Sequence, residues 1–238
     1  MANRGASELM SGHILLEGGA EFGGRMADPD RRAIALAGGF AAPICIVPTA
    51  AAPDHNHEQA GQTGVRWFQQ LGARQVTLLP LIDQASANQS SIIFSLTNAR
   101  LIYLLGGFPH YLGQTLAGSL SWQAILEAYQ AGAVIGGSSA GAMVLCQHCY
   151  NPETRSIVAG LNLVPNACII PHHNTFGKSW VSHLVSLLPK DILVGVDEQT
   201  GMLDDAEDGH WKVYGKGAVT LYKEGKVKVY HAAETFSL

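Results

Sequence analysis

The sequence predicts an α/β protein built on a mainly parallel, doubly wound sheet with an antiparallel β-hairpin at its C-terminal end. Three observations carry that expectation. Seven runs, HILLEGG, PICIVPTA, QVTLLPL, RLIYLLGG, AVIGGSS, NACIIPHH and ILVGVDE, are continuously apolar for several residues, as strands covered on both faces require. Helix-period stretches alternate with them, which argues for strand–helix–strand units. From about residue 210 the pattern changes to period-two alternation in WKVYGKGAVTLYKEGKVKVYH, with KEGK marking a turn.

The helices have their own signals. GQTGVRWFQQLGA places Val65, Phe68 and Leu71 at three-residue spacing and meets a glycine where a helix should stop. SWQAILEAYQAGA repeats the design with Trp122, Ile125, Leu126 and Tyr129 and closes at Gly132. No repeat, low-complexity segment or linker interrupts the chain. Its 238 residues, 47% hydrophobic and 14% charged, supply the core of a single domain over 1–238.

Composition excludes several function classes. The net charge is −4 and no run of five like charges occurs, so the footprint of a nucleic-acid or acidic-membrane binder is missing. The N-terminal MANRGASELMSGHILLEGG lacks the apolar stretch of a signal peptide, and no segment reaches the length of a membrane span. The expectation is a soluble, cytoplasmic protein with a small-molecule or peptide partner. Four cysteines, at 45, 146, 149 and 168, do not make a disulfide framework and read as reduced, mostly buried thiols.

One segment carries chemistry. Gly137-Ser138-Ser139-Ala140-Gly141 matches GxSxG at the junction of a strand and a helix. A nucleophile on so sharp a turn needs neighbours two residues away on each side that are almost free of side chain. The turn aims the hydroxyl outward and points the Ala140 N–H to where an oxyanion would form. A serine hydroxyl is a weak nucleophile, so a base and an orienting carboxylate must accompany it.

Two arrangements are available downstream. In the first, the base is His172 or its neighbour His173 and the carboxylate is Glu198; each follows a strand whose carboxyl end faces the crevice where open α/β sheets bind ligands. In the second, Ser139 is followed by Asp205 and then His210 or His231, the chain order of α/β-hydrolases. The first ranks higher, because His210 and His231 do not follow a core strand. Three other clusters read as structural. Cys146-Gln-His-Cys149 falls on the helix after Ser139, with its thiols packed and His148 at the surface. DHNHE, residues 54–58, reads as a polar loop, and Asp204, Asp205, Glu207 and Asp208 as a solvated turn.

GGSSAGAMVL, together with LIYLLGGFPHYL, GLNLVP, IIPHH and VGVDEQT, resembles the S51 serine peptidases, the group of cyanophycinase and aspartyl dipeptidase. ILLEGGAEFGG looks like that family's opening Gly-rich turn and ICIVPTAAA like its second strand. The resemblance implies a three-layer α/β/α, flavodoxin-like fold related to class I glutamine amidotransferases. It also implies a Ser-His-Glu triad of Ser139, His172 and Glu198, with oxyanion donors at the N–H groups of Ala140 and Gly107. A small peptide substrate, no metal or cofactor, and a tendency to form homodimers follow by the same resemblance. The chain departs from the family where relatives carry GGN or GGD and then Gln: here Gly107-Phe108-Pro109-His110 stands instead. Arginines that follow the histidine in cyanophycinase-like sequences are also missing, and HHNTFGKSW offers Lys178, which neutralises a carboxylate without a bidentate fork. Phe108, His173 and Lys178 are therefore the expected substrate-side residues, for a substrate different from or less acidic than the family's.

The expected function is a serine peptidase-type hydrolase acting on a peptide or isopeptide bond. A non-catalytic binding protein on the same fold, or an esterase using the second arrangement, are the alternatives.

Overall fold

The computed structural model describes residues 11–238, the Asp208 side chain excepted. In chain order the elements are β1 (His13–Glu17), α1 (Ala27–Leu36), β2 (Pro43–Val47), α2 (His57–Gln70), β3 (Gln75–Leu78), α3 (Ser90–Thr97) and β4 (Leu101–Leu104). There follow α4 (Pro109–Leu116), α5 (Leu120–Gln130), β5 (Val134–Ser138), α6 (Ala140–Leu145), β6 (Cys146–Asn151), β7 (Ser156–Ala159) and β8 (Val164–Ile170). The chain ends with α7 (Val181–Leu187), β9 (Ile192–Val196), β10 (Thr200–Leu203), β11 (Trp211–Gly215), β12 (Ala218–Lys223), β13 (Lys226–His231) and β14 (Thr235–Phe236). All seven apolar runs form strands, and both helix-period stretches form helices.

The strands divide between two sheets. The first has the order β14-β11-β10-β1-β5-β4-β2-β3, parallel from β1 to β3 and antiparallel from β1 to β14. The second has the order β13-β12-β9-β8-β6-β7, with β6, β8 and β9 mutually parallel at its centre. The last two apolar runs, β8 and β9, thus belong to a sheet of their own. The terminal alternating segment is also split: β11 extends the first sheet, while β12 and β13 form the hairpin, turning at Glu224-Gly225, at the edge of the second.

Continuous apolarity in the first sheet has a direct cause. Alternate side chains of a strand face opposite ways, and here both sides are packed. Ile14, Leu16, Cys45, Val47, Ile102, Leu104 and Ile135 enter one core with α3 to α6 and the second sheet. Leu15, Ile44, Ile46, Leu101, Tyr103 and Val134 enter the other, under α1 and α2. The expected helical placement of the Cys146–Cys149 motif is wrong: α6 ends at Leu145, and Cys146–Asn151 is β6, paired with β7 and β8. Its cysteines are buried, and burial pushes Cys149, like Cys45, up to about 12, far from thiolate chemistry. His148 is not a free surface residue either, since its Nε2 lies 3.2 Å from Asp191.

Beneath α1 and α2 sits a buried acid pair. Glu17, the last residue of β1, and Asp30 in α1 are both fully buried. Tyr103 donates its hydroxyl to Glu17 Oε2, and the Trp67 indole donates to Asp30 Oδ2 at 2.7 Å. Among the described residues Glu17 Oε1 and Asp30 Oδ1 have no hydrogen-bond partner, so neither carboxyl has the full set of donors that its charged form needs. Burial first, and then the mutual repulsion of carboxylates, pushes Glu17 well above the usual range, and burial lifts Asp30 to about 7.

Because both acids hold protons more tightly folded than unfolded, their contribution to stability is complete below the ordinary carboxylate range and is lost as pH climbs towards 7 and beyond. Between pH 5 and 8 the wild-type protein should lose on the order of 2–4 kcal/mol from this pair. Glu17→Gln removes one titrating carboxyl from the pair while keeping its shape. Thermal melts across that range should therefore show a shallower fall of Tm with pH for the variant than for the parent; parallel curves would contradict the upward shift of Glu17.

Candidate active site

Ser139 stands at the turn from β5 into α6 with φ 49° and ψ −109°. A non-glycine residue there costs roughly 1–3 kcal/mol and persists only where its surroundings hold it. The surroundings are visible. A Cβ on Gly137 would meet the Gly141 carbonyl carbon at 2.5 Å, and one on Gly141 would meet the Leu104 carbonyl oxygen at 2.2 Å. The steric reason for the GxSxG spacing is therefore satisfied at both glycines. The Ser139 N–H donates to the Glu17 carbonyl at 3.0 Å, and its own carbonyl accepts from Met143 at 3.0 Å, tying the turn to β1 and to α6.

The structure brings together the three side chains expected to meet. Ser139 Oγ lies 3.0 Å from His172 Nε2, and His172 Nδ1 lies 2.8 Å from Glu198 Oε1. An ionised carboxylate only accepts, so Nδ1 carries the ring hydrogen and Nε2 is left to accept from the serine hydroxyl. The His172 N–H first and the Thr175 hydroxyl after it, the latter at 3.1 Å, hold the Glu198 carboxyl below the usual glutamate range. Glu198 is thus an anion over the whole neutral range. His172 and Glu198 reach the serine from the parallel neighbours β8 and β9, whose carboxyl ends lie side by side.

Residues that motif reading passed over position this chain of bonds. His172 has φ 50°, and its N–H donates to the Gly18 carbonyl at 2.7 Å. A Cβ on Gly19 would stand 2.3 Å from the imidazole Cε1, so the ring rests directly on that glycine. Phe176 stacks on the imidazole, with centroids 4.6 Å apart and planes at 26°, although the residue is 55% exposed. The Glu198 N–H donates to Asn174 Oδ1 at 2.9 Å. Asn174, Thr175 and Phe176 follow the histidine pair directly in sequence. Proximity to a strand's carboxyl end was the available signal for them.

Other expected residues lie elsewhere or play other parts. His173 is neither the serine's partner nor a substrate-facing group. It is buried, with Nε2 2.8 Å from the Tyr222 hydroxyl and Nδ1 3.3 Å from Asp197, because the turn at His172 sends the two rings apart. The Ser139–Asp205–His210 or His231 arrangement is also overturned. Asp205 pairs with Arg32 and accepts from Tyr214 at 2.7 Å, His210 bonds the Glu207 carbonyl, and the Ser139 hydroxyl is already matched to His172. The Asp205 side chain is only 2% exposed, so that part of the acidic cluster is not a solvated turn.

Ala140 opens α6 directly after the serine. Gly107 is exposed and presses on the Ala50 carbonyl, 2.2 Å from where its Cβ would be, while Gly106 is the glycine that lies against Ser139. Phe108, half-buried, precedes α4 and donates its N–H to the Ala50 carbonyl at 2.8 Å. Lys178 is exposed on the short helical turn Phe176–Trp180, beside the phenyl ring that covers His172. Among the described residues no helix is long and apolar enough to cross a membrane.

Two variants separate the neighbouring histidines. His173→Ala removes two buried partners and should lower stability by about 2–3 kcal/mol in denaturant unfolding. His172→Ala, at the site's rim, should change it by about 1 kcal/mol or less. The opposite order would contradict the assignment of His173 to the interior.

Comparison with known proteins identifies the family. The model of peptidase family S51 matches residues 14–209. Cyanophycinase of Synechococcus elongatus is 28% identical over 196 residues, covering 78% of this chain, which spans 60% of that protein's length. Cyanophycinase of Trichormus variabilis is 29% identical over 221 residues, 87% of this chain and 72% of the other. Among solved structures, a peptidase from an acI-B1 Actinobacterium superposes with a TM-score of 0.87 at 31% identity, covering 96% of this chain and 98% of that one. A putative peptidase E from Listeria monocytogenes EGD-e shares the fold at a TM-score of 0.62 and 18% identity, over 90% and 99% of the two chains. With a flavodoxin-like α/β architecture, a serine on a strained GxSxG turn and a family match over most of its length, the chain belongs to peptidase family S51.

Proposed function

We propose that the protein is a serine hydrolase that cleaves a peptide or isopeptide bond of a small peptide through Ser139, His172 and Glu198. The observation that carries this reading is the continuous bond chain from Ser139 Oγ through the His172 ring to the Glu198 carboxylate, at 3.0 and 2.8 Å. His172 Nε2 takes the hydroxyl proton as Oγ attacks the amide carbonyl carbon. The tetrahedral oxyanion is stabilised by N–H groups of Ala140 and of Gly107. His172 then passes the proton to the leaving nitrogen, the C–N bond breaks, and an acyl-enzyme remains. Water, deprotonated by the same imidazole, attacks the ester carbon and releases the acid. Glu198 remains an anion throughout, orienting the ring and stabilising the imidazolium.

The cyanophycinase relatives and the peptidase structure support a peptide substrate. The reading includes Phe108 and Lys178 on the substrate side, a cytoplasmic location, a single domain and a chain able to pair as a homodimer.

Active-site labelling tests the proposal. A fluorophosphonate should modify the parent protein, and Ser139→Ala should abolish the reaction. His172→Ala should slow it by about 10³-fold or more, and Glu198→Gln by a smaller factor, because the imidazole then loses its charged orienting partner. Undiminished labelling of Ser139→Ala, or no labelling of the parent, would refute it.

A further inference from the structure

Two hydroxyl–imidazole–carboxylate chains run between the same pair of segments. The first is Ser139, His172 and Glu198; the second is Tyr222, His173 and Asp197, with His173 Nε2 2.8 Å from the Tyr222 hydroxyl and Nδ1 3.3 Å from Asp197 Oδ1. A carboxylate only accepts, so in the second chain as in the first the ring hydrogen stands on Nδ1 and Nε2 accepts from the hydroxyl. Burial first, and Asp197 after it, raises the Tyr222 phenol above its usual range and keeps it a donor. Each imidazole lies on a glycine: a Cβ on Gly19 would stand 2.3 Å from the His172 ring, and one on Gly195 2.4 Å from the His173 ring.

The second chain is buried where β9 is otherwise Ile, Leu, Val and Gly. An apolar side chain in place of His173 would fill that space without taking an imidazole out of water. What the polar group adds is direction. Asp197 is itself fixed, since its N–H donates to the Ala218 carbonyl at 3.1 Å and its Oδ2 accepts from the Ala218 N–H at 2.9 Å. Tyr222 lies on β12 as Ala218 does, so both ring nitrogens of His173 are tied to one strand. The residue before it needs such a hold. His172 has φ 50°, a region that non-glycine residues seldom adopt, and the direction of its ring follows from that dihedral. Its N–H is bonded to the Gly18 carbonyl on the entry side, and on the exit side the His173 N–H donates to the Val196 carbonyl at 3.1 Å.

We propose that His173 is a positioning residue for catalysis: held between Asp197 and Tyr222, it fixes the turn that carries His172 and aligns that imidazole between Ser139 and Glu198. This deepens the serine-hydrolase reading and rests on it. Adjacency along the chain gives the hold its leverage. His173 is covalently next to His172 and Asp197 next to Glu198, so the separation of the two segments at the second pair sets their separation at the first. Without the bond from His173 to Asp197 the segments part, the strained dihedral of His172 relaxes, and Nε2 withdraws from Ser139 Oγ. A displacement of about 1 Å at reacting groups costs on the order of 10²-fold in rate.

The test follows modification of the purified full chain by a fluorophosphonate at several reagent concentrations, which separates the binding constant KI from the limiting rate kinact; the fraction labelled at completion counts folded molecules. His173→Asn places an amide N–H where Nδ1 stood and keeps the bond to Asp197, whereas His173→Gln reaches Tyr222 and gives Asp197 up. The rate kinact should fall at least about tenfold in His173→Gln but only about threefold in His173→Asn and in Tyr222→Phe, with KI within about twofold of the parent throughout. A residue that served stability alone would lower the labelled fraction and leave kinact unchanged, and that result overturns the proposal. A fall in His173→Asn as large as in His173→Gln, or a change confined to KI, overturns it too. Tyr222→Phe, at a half-buried site, decides the matter if the His173 variants do not fold: an unchanged kinact there refutes the positioning role. Absent labelling of the parent defeats the hydrolase reading and this one with it, whereas normal labelling of the parent with unchanged kinact in the variants defeats the His173 assignment alone.

Discussion

The turn at Ser139 is the constraint on which the rest of the site depends. Its backbone adopts φ 49° and ψ −109° only because Gly137, Gly141 and the Leu104 carbonyl approach more closely than any side chain would allow. Strain of roughly 1–3 kcal/mol is small beside the packing that enforces it. On one side β5 is bonded in parallel register to β1 and β4, and on the other α6 is buried along its whole length. The hydroxyl therefore has a direction before any partner is considered. The imidazole and the carboxylate then have only to be brought to it.

They are brought by the second sheet. β8 and β9 are parallel neighbours, so the chain leaves both at the same end, and His172 and Glu198 come out side by side. The two sheets share a core in which Ile14, Leu16 and Ile135 of the first meet Ile169, Val194 and Val219 of the second, with α6 packed among them. Direct backbone bonds span the same joint: the His172 N–H to the Gly18 carbonyl and the Gln199 N–H to the Gly19 carbonyl. The loop after β1 thus serves both sides. It supports the imidazole at Gly19 and presents Glu21 next to the serine.

Three glutamates near this joint show how surroundings set the state of one side-chain type. Glu17, sealed under α1 and repelled by Asp30, is driven towards its neutral form. Glu198, one-third exposed and bonded to an imidazole N–H and a hydroxyl, is held as an anion. Glu21 accepts from the Ser138 hydroxyl and lies close to Gly106, the glycine that also meets Ser139. Desolvation decides the first case and hydrogen bonding the second.

Local chemistry was legible in the sequence. The seven apolar runs declare strands because a chain packed on both faces cannot alternate, and the two glycines around Ser139 declare the turn because only their missing Cβ atoms permit it. The positions of Ser139, His172 and Glu198 could be named for the same reason: each follows such a run or sits on that turn. What needed the tertiary structure was pairing. Apolarity reports burial but not the neighbour, so the allotment of β8 and β9 to a second sheet, and the strand at Cys146–Asn151 where a helix was expected, stayed hidden. The choice between His172 and His173 likewise turned on one dihedral angle, which sends one ring to Ser139 and its neighbour to Asp197 and Tyr222. Sequence fixes what a residue can do through its own covalent geometry; which atoms it meets is set by distant segments, and those are ordered only when the cores close.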